Sequence, residues 1–265
     1  MRVGWIGTGL MGEPMAHRLI EHGHTLTVHN RTRSRTARLE KQGATVVDTV
    51  AEAAGNDVVV TMLPFPEDVH TELQPEPGTV VIDCSTSSPG LAVRLAEEGA
   101  RRGVAVLDAP VSGGPAGAAA GTLSIMVGGA ADAVERVRPL LDAMGATVVH
   151  HGPPGSGQLA KLANQTLVAS TTLAACEAYA FAVHHGLDLG KARASIGPGV
   201  AGSALFDFVW SKLAAGDLEP GFAIEHLLKD LDLIRRAGPP LQGVELVRRL
   251  AGRAPGERGT QALLA

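Results

Sequence analysis

At 265 residues, 45% of them hydrophobic, the chain is long enough for one or two domains with a buried core, and this excludes a disordered polymer. A net charge of −4 and a pI near 6.2 exclude an extended nucleic-acid surface, which needs a basic excess. Only Cys84 and Cys176 are present, far apart, with no metal-ligand spacing and no disulfide framework, so a reduced cytoplasmic setting and no metal site are predicted.

Arg2–Ile6 predicts a strand at the very start, so no signal peptide is expected. A helix over Leu10–Glu21, a strand over Thr25–His29 and a helix over Thr32–Lys41 follow. Short apolar runs at Val58–Met62, Thr79–Ile82 and Val104–Leu107 are strand candidates, each with turn residues nearby. Leu123–Val127 and Thr147–His150 look like added strands on either side of a helix over Ala131–Met144. This alternation predicts an α/β, Rossmann-type, doubly wound and mainly parallel sheet.

The pattern changes after the Gly-Pro-Pro-Gly-Ser-Gly stretch at 152–157, beyond which no convincing strand appears. Gln158–His185 predicts one long helix, followed by shorter ones. A dinucleotide domain at 1–155 and an all-helical substrate and oligomerisation domain at 156–265 are therefore expected. The apolar segment Leu159–Val183 contains Lys161, Asn164, Gln165 and Glu177, more polar groups than a membrane span usually carries; a buried soluble helix and no membrane partner are expected.

Gly7-Thr8-Gly9-Leu10-Met11-Gly12 follows the first strand and opens the first helix, the context a GxGxxG requires. The first glycine allows the tight turn, the second lets backbone approach a pyrophosphate, and the third lets helix and strand pack closely. At the end of the second strand, His29-Asn30-Arg31-Thr32-Arg33 offers no acid for a ribose 2′-hydroxyl. Arg31 can pair with a 2′-phosphate, with Asn30 and Thr32 as hydrogen-bonding partners, which favours NADP (NADPH) over NAD. The alternative is a solvated basic face, although cations at a helix start are mildly unfavourable.

Asp108-Ala109-Pro110-Val111-Ser112-Gly113-Gly114 follows the strand at 104–107. Its Ser-Gly-Gly is either an anion nest for a substrate carboxylate or an ordinary turn. Lys161 sits near the start of the long helix, one turn before Asn164 and Gln165, at the inferred domain junction. Such a lysine either snorkels at the surface or serves as proton donor to a carbonyl oxygen, with Asn164 orienting the substrate.

Taken together, these segments resemble the β-hydroxyacid dehydrogenase family, which includes 3-hydroxyisobutyrate dehydrogenases, tartronate semialdehyde reductases and glyoxylate/succinic semialdehyde reductases. The resemblance rests on Gly7 to Ala16, Asn30-Arg31-Thr32, Met62-Leu63-Pro64, Ser85-Thr86, Asp108 to Leu123, Gly155 to Lys161, and Lys229-Asp230-Leu231. It implies Lys161 as the catalytic residue and Ser112, Gly113, Gly114 and Asn164 at a small carboxylate-bearing substrate. It also implies Leu63, Pro64, Thr86 and Lys229 at the cofactor, and a homodimer or homotetramer built on the helical domain. Gln165, a further candidate for contact with the substrate, stands where many members have Asn, which leaves substrate choice open. The segment between Pro64 and Asp83 and the stretch after Lys229 look shorter than usual. An imine reductase of the same architecture is the enzymatic alternative, and Lys161 counts against it; an NADP-binding scaffold without turnover is the non-enzymatic one.

Overall fold

The computed structural model describes residues 1–65 and 73–264 and divides into two compact units, 1–161 and 162–265. In the first unit, β1 (Arg2–Ile6), β2 (Thr25–His29), β3 (Thr45–Val46), β4 (Val58–Thr61), β5 (Val80–Asp83) and β6 (Ala105–Asp108) run parallel in the order β3-β2-β1-β4-β5-β6. The sheet continues through β8 (Ser124–Gly128), which is antiparallel to both β6 and the two-residue β7 (Val111–Ser112). A last strand, β9 (Thr147–Gly152), lies parallel to β8.

Side-chain alternation divides this sheet's burial between two faces. Val58, Val60, Val80 and Ile82 join one apolar cluster with Val3 and Trp5, while Val59 and Val81 join a second cluster with Ile6. Period-two patterning in strands whose every residue is buried is what a sheet covered on both faces requires. Leu19 and Met15 of α1 (Gly12–Glu21) and Leu140 and Leu141 of α6 (Ala131–Met144) cover the first face. Ala53 and Ala54 of α3 (Val50–Ala54) pack into the cluster on the second.

Some local elements differ from the sequence expectation. The predicted helix over Thr32–Lys41 is a 3-10 turn at Arg33–Thr36 followed by a short α2 (Ala37–Lys41). Three helices were not anticipated: the five-residue α3 (Val50–Ala54), α4 (Pro89–Arg101), capped by the Ser88 side chain with proline at its start, and the seven-residue α5 (Gly114–Ala120). The expected loop at 108–114 contains β7. Residues 66–72, within the segment that looks short between Pro64 and Asp83, lie outside the described residues.

The long helix, α7 (Ser156–His184), begins in the first unit and supplies Leu162, Ala169, Leu173 and Cys176 to the core of the second. That unit is helical among its described residues, with α8 (Leu189–Ile196), α9 (Ala204–Ala214), α10 (Ile224–Ala237) and α11 (Gln242–Ala251), plus one isolated bridge between Ala223 and Gly259. Ile224, Leu227, Leu231 and Ile234 recur at helical spacing on α10 and are buried with Phe206 and Trp210 of α9. Buried Ala262 and Leu263 bring the C-terminal segment into the same core. Only a third of the most apolar window of α7 is buried, less than the sequence leads one to expect. Leu167 and Phe181 are 70% and 65% exposed.

Candidate active site

Gly7 has φ of +98°, a conformation that L side chains rarely adopt. A Cβ on Gly12 would lie 2.0 Å from the Gly7 carbonyl oxygen, so the third glycine is required by the packing of α1 against the end of β1. Gly9 is different: a Cβ there would meet no atom within 4 Å, so packing inside the chain does not explain this glycine. Close approach of a pyrophosphate does explain it. Among the described residues no side chain caps the start of α1, which leaves its first amides to a ligand or to water. The cradle therefore fits a dinucleotide, with Gly7, Thr8, Gly9, Leu10, Met11 and Gly12 as the residues that would hold its phosphates.

Asn30 ties the neighbouring loop to this cradle. Its Oδ1 accepts from the Thr8 amide at 2.9 Å, and its Nδ2 donates to the Thr32 carbonyl at 2.9 Å. Asn30 thus fixes loop geometry, beside any contact with a cofactor. The arginines that follow separate by partner. Arg33 pairs with Asp48, and Arg38 lies 3.4 Å from Glu13. Arg31 is exposed and has no ion-pair partner among the described residues.

The C-terminal ends of β4, β5 and β6 carry a buried polar network. Asp83 Oδ1 accepts from Thr61 Oγ1 at 2.9 Å and from the Ser85 amide at 3.0 Å. Ser85 Oγ in turn accepts from the Leu63 amide at 2.9 Å, which fixes the segment leading to Pro64. Thr86 follows, half-buried. Asp83 and Asp108 are register partners on adjacent strands, and burial pushes both carboxyls above the ordinary range.

The raised Asp83 pKa has a stability consequence. The folded state holds this proton to higher pH than the unfolded chain does, so folding gains from it at low pH. That contribution is lost as pH rises from the unfolded aspartate value, about 3.9, through the raised folded one. Asp83→Asn keeps the acceptor for Thr61 and Ser85. It is expected to flatten this fall and to raise Tm at pH 8 relative to the parent, as thermal melts across pH 4–8 would show. A steeper fall in the variant would contradict the assignment.

Ser112 lies in β7, paired with Ser124, and Gly113 and Gly114 follow with φ of +138° and +64° on the way into α5. Both positions need glycine for conformational reasons. Lys161, 7% exposed, donates from Nζ to the Val111 carbonyl at 2.8 Å. It is therefore buried, not snorkelling, and is held at the strand that carries Ser112. One turn on, in the second unit, Asn164 Nδ2 donates to Gln165 Oε1 at 2.9 Å, and Gln165 Nε2 donates to Asp230 Oδ2 at 2.6 Å. Lys229 Nζ lies 3.2 Å from Asp230 Oδ1. Gln165 thus links Asn164 to the Lys229-Asp230 pair; the sequence singled out these residues but not the bonds between them. His226, one turn before Asp230, has its imidazole pKa lowered, first by burial and then by the Lys229 ammonium.

Asp108 and Gln158 lie within recognisable segments, but nothing in the sequence assigns either a role of its own. The available signal was spacing: Gln158, Lys161 and Gln165 fall at i, i+3 and i+7 on an otherwise apolar helix.

Comparison with known proteins shows the family. Residues 2–152 match the profile of the NAD-binding domain of 6-phosphogluconate dehydrogenase. Residues 155–262 match that described as the NAD-binding region of NADP-dependent 3-hydroxyisobutyrate dehydrogenase. A probable 3-hydroxyisobutyrate dehydrogenase-like protein of Arabidopsis thaliana is 40% identical over 99% of this chain and 84% of its own length. An NAD-dependent L-serine dehydrogenase of Pseudomonas aeruginosa is 38% identical over 89% of this chain and 85% of its own. Among solved structures, a Mycobacterium tuberculosis 3-hydroxyisobutyrate dehydrogenase with L-serine superposes with a TM-score of 0.87 at 29% identity, covering 99% of this chain and 97% of that one. Because these matches run through both units, the chain belongs to the β-hydroxyacid dehydrogenase family and is an NAD(P)-dependent oxidoreductase acting on CH–OH groups.

Proposed function

We propose that the protein is an NADP-dependent β-hydroxyacid dehydrogenase or semialdehyde reductase that interconverts a small 3-hydroxy acid and its 3-oxo (or a glyoxylate-like 2-oxo) counterpart, with Lys161 as general acid and base. The observation that carries this reading is the buried Lys161 ammonium, 2.8 Å from the Val111 carbonyl beside Ser112, Gly113 and Gly114. The cofactor supplies or takes the hydride. In reduction, Lys161 gives a proton to the carbonyl oxygen, an O–H bond forms, and the amine is left neutral. In oxidation, the neutral amine takes the hydroxyl proton. The backbone amides around Ser112, Gly113 and Gly114 receive the substrate carboxylate. Asn164 orients it, while Gln165 acts through its bonds to Asn164 and Asp230. Arg31 supports the NADP assignment, as does the NADP-dependent description of the profile over residues 155–262. Leu63, Pro64, Thr86 and Lys229 complete the cofactor contacts.

The test is NADPH oxidation against glyoxylate, succinic semialdehyde, tartronate semialdehyde and methylmalonate semialdehyde, with a cyclic imine alongside. Turnover of at least one acid is expected. Turnover of the imine alone would replace this reading with an imine reductase.

The exposed Leu167, Phe181 and Val183 of α7 support a homo-oligomer in which a second copy covers apolar surface that the chain leaves open. Sedimentation at micromolar concentration should give a dimer or tetramer. A monomer under those conditions would overturn it.

A further inference from the structure

Two buried side chains outside the proposed proton-transfer chemistry hold the turn that carries Lys161. Asp108, at the end of β6, sends its carboxylate beneath the start of α7. Its Oδ1 accepts from the Gly155 amide and its Oδ2 from the Gln158 amide, each at 2.8 Å. Two glycines make room for it. A Cβ on Gly128 would lie 2.5 Å from Asp108 Oδ1, and one on Gly157 would lie 2.9 Å from Oδ2 and 2.3 Å from the Met126 carbonyl. A carboxylate at a helix N-terminus satisfies orphan amides and complements the helix dipole.

Gln158, fully buried, holds the same turn from another direction. Its Nε2 donates to the Ser85 carbonyl at 2.8 Å, and its Oε1 accepts from the Ser87 amide at 3.0 Å. Both ends of this amide are used, so its orientation is fixed. The Asp108–Val111 segment therefore meets the helix twice: the Asp108 carboxylate takes its first amides, and the Val111 carbonyl takes Lys161 Nζ.

We propose that Asp108 and Gln158 are positioning residues that set the reach and direction of the Lys161 ammonium, and that Gln158 locks this turn to the Ser85–Ser87 loop. The inference rests on Lys161 being the proton donor. A long lysine side chain has several rotatable bonds, so a shift at its helical turn moves the ammonium directly. Misplacement of a reacting group by about 1 Å is enough to cost on the order of 10²-fold in rate. Neither residue belongs to the Gly7–Gly12 cradle. Asp108 is also clear of the Ser85–Ser87 loop, so cofactor affinity should not follow the loss there, whereas Gln158, which holds the loop carrying Thr86, should affect kcat more than cofactor affinity.

The experiment compares Asp108→Asn, Gln158→Met and Gln158→Glu with the parent and with Lys161→Ala. Asp108→Asn replaces one acceptor oxygen by an amide that faces N–H donors. Gln158→Met keeps the volume and removes both hydrogen bonds; Gln158→Glu keeps the acceptor for Ser87 and loses the donor to Ser85. The readouts are kcat, KM, the solvent deuterium isotope effect on kcat, and NADPH affinity by fluorescence titration of each folded variant. Gln158→Met and Asp108→Asn should lose about 10- to 100-fold in kcat and show a larger solvent isotope effect as proton transfer becomes limiting; Asp108→Asn should keep NADPH affinity within about twofold, and Gln158→Met should lose less in NADPH affinity than in kcat. Gln158→Glu should fall between Gln158→Met and the parent, and it decides the matter if the other two fail to fold. Parent-like kcat and isotope effect in a folded Gln158 variant, with Lys161→Ala inactive, would overturn the positioning roles alone. Near-normal turnover in Lys161→Ala would overturn the reading on which they rest.

Discussion

Lys161→Ala should lower kcat by about 10²–10⁴-fold while leaving NADPH binding close to the parent's, because general acid–base catalysis typically supplies a factor of that size. The Gly7–Gly12 cradle and Arg31 are remote in sequence from Lys161 and do not depend on its ammonium. The substitution also leaves the Val111 carbonyl without its lysine donor. An unsatisfied buried acceptor costs about 1–3 kcal/mol, so some loss of Tm accompanies the loss of rate. Assays well below the variant's melting temperature separate the two effects. Lys161→Arg should restore little: guanidinium keeps its proton throughout the working pH range and cannot serve as the base in oxidation. Lys161→Met, which retains much of the buried aliphatic volume, should be as slow as Lys161→Ala but more stable. Near-normal turnover in folded Lys161→Ala or Lys161→Met would make the lysine a structural group.

The sequence reveals most clearly those features that depend on local repetition. Short runs of consecutive β-branched residues such as Val58 to Val60 and Val80 to Ile82 mark strands buried on both faces, and the two apolar clusters show successive side chains going to opposite faces. The phosphate loop is legible because three glycines perform three different local tasks at fixed spacing. Short helices are harder. The N-terminus of α4 is announced by Ser88 and Pro89, and that of α3 by the Thr49–Glu52 capping box, yet neither has a long apolar repeat to go with it. The polar clamp around α7 is least legible. Asp108 and Gly155 are 47 residues apart and Gln158 and Ser85 are 73 apart, so no sequence window contains both partners. The glycines at 128 and 157 carry the imprint of that contact, since each leaves room for the Asp108 carboxylate, but a glycine alone does not say what it makes room for.

Arg31→Ala should weaken NADPH binding by about tenfold to 150-fold and leave NADH binding nearly unchanged. A charge-assisted hydrogen bond of the kind an arginine makes to phosphate is worth about 1.5–3 kcal/mol, and each 1.4 kcal/mol is tenfold in affinity. The choice of Arg31 over its neighbours follows from their partners. Arg33 is committed to Asp48 and Arg38 lies beside Glu13, whereas Arg31 is exposed with no ion pair among the described residues. Asn30 immediately precedes it and is hydrogen-bonded to the Thr8 amide, so the residue before Arg31 is anchored to the phosphate loop itself. That anchor gives Arg31 a fixed starting point beside the phosphate loop, and its own side chain has no carboxylate partner among the described residues. Arg33→Ala, which removes an arginine already paired with Asp48, is the control and should change neither affinity by more than about twofold, since exposed ion pairs contribute little. Fluorescence titration of both nucleotides against both variants decides the assignment. Equal loss of NADPH and NADH affinity in Arg31→Ala would show that the arginine supports the loop and does not read the 2′-phosphate. An unchanged NADPH affinity would remove the basis for preferring NADP over NAD.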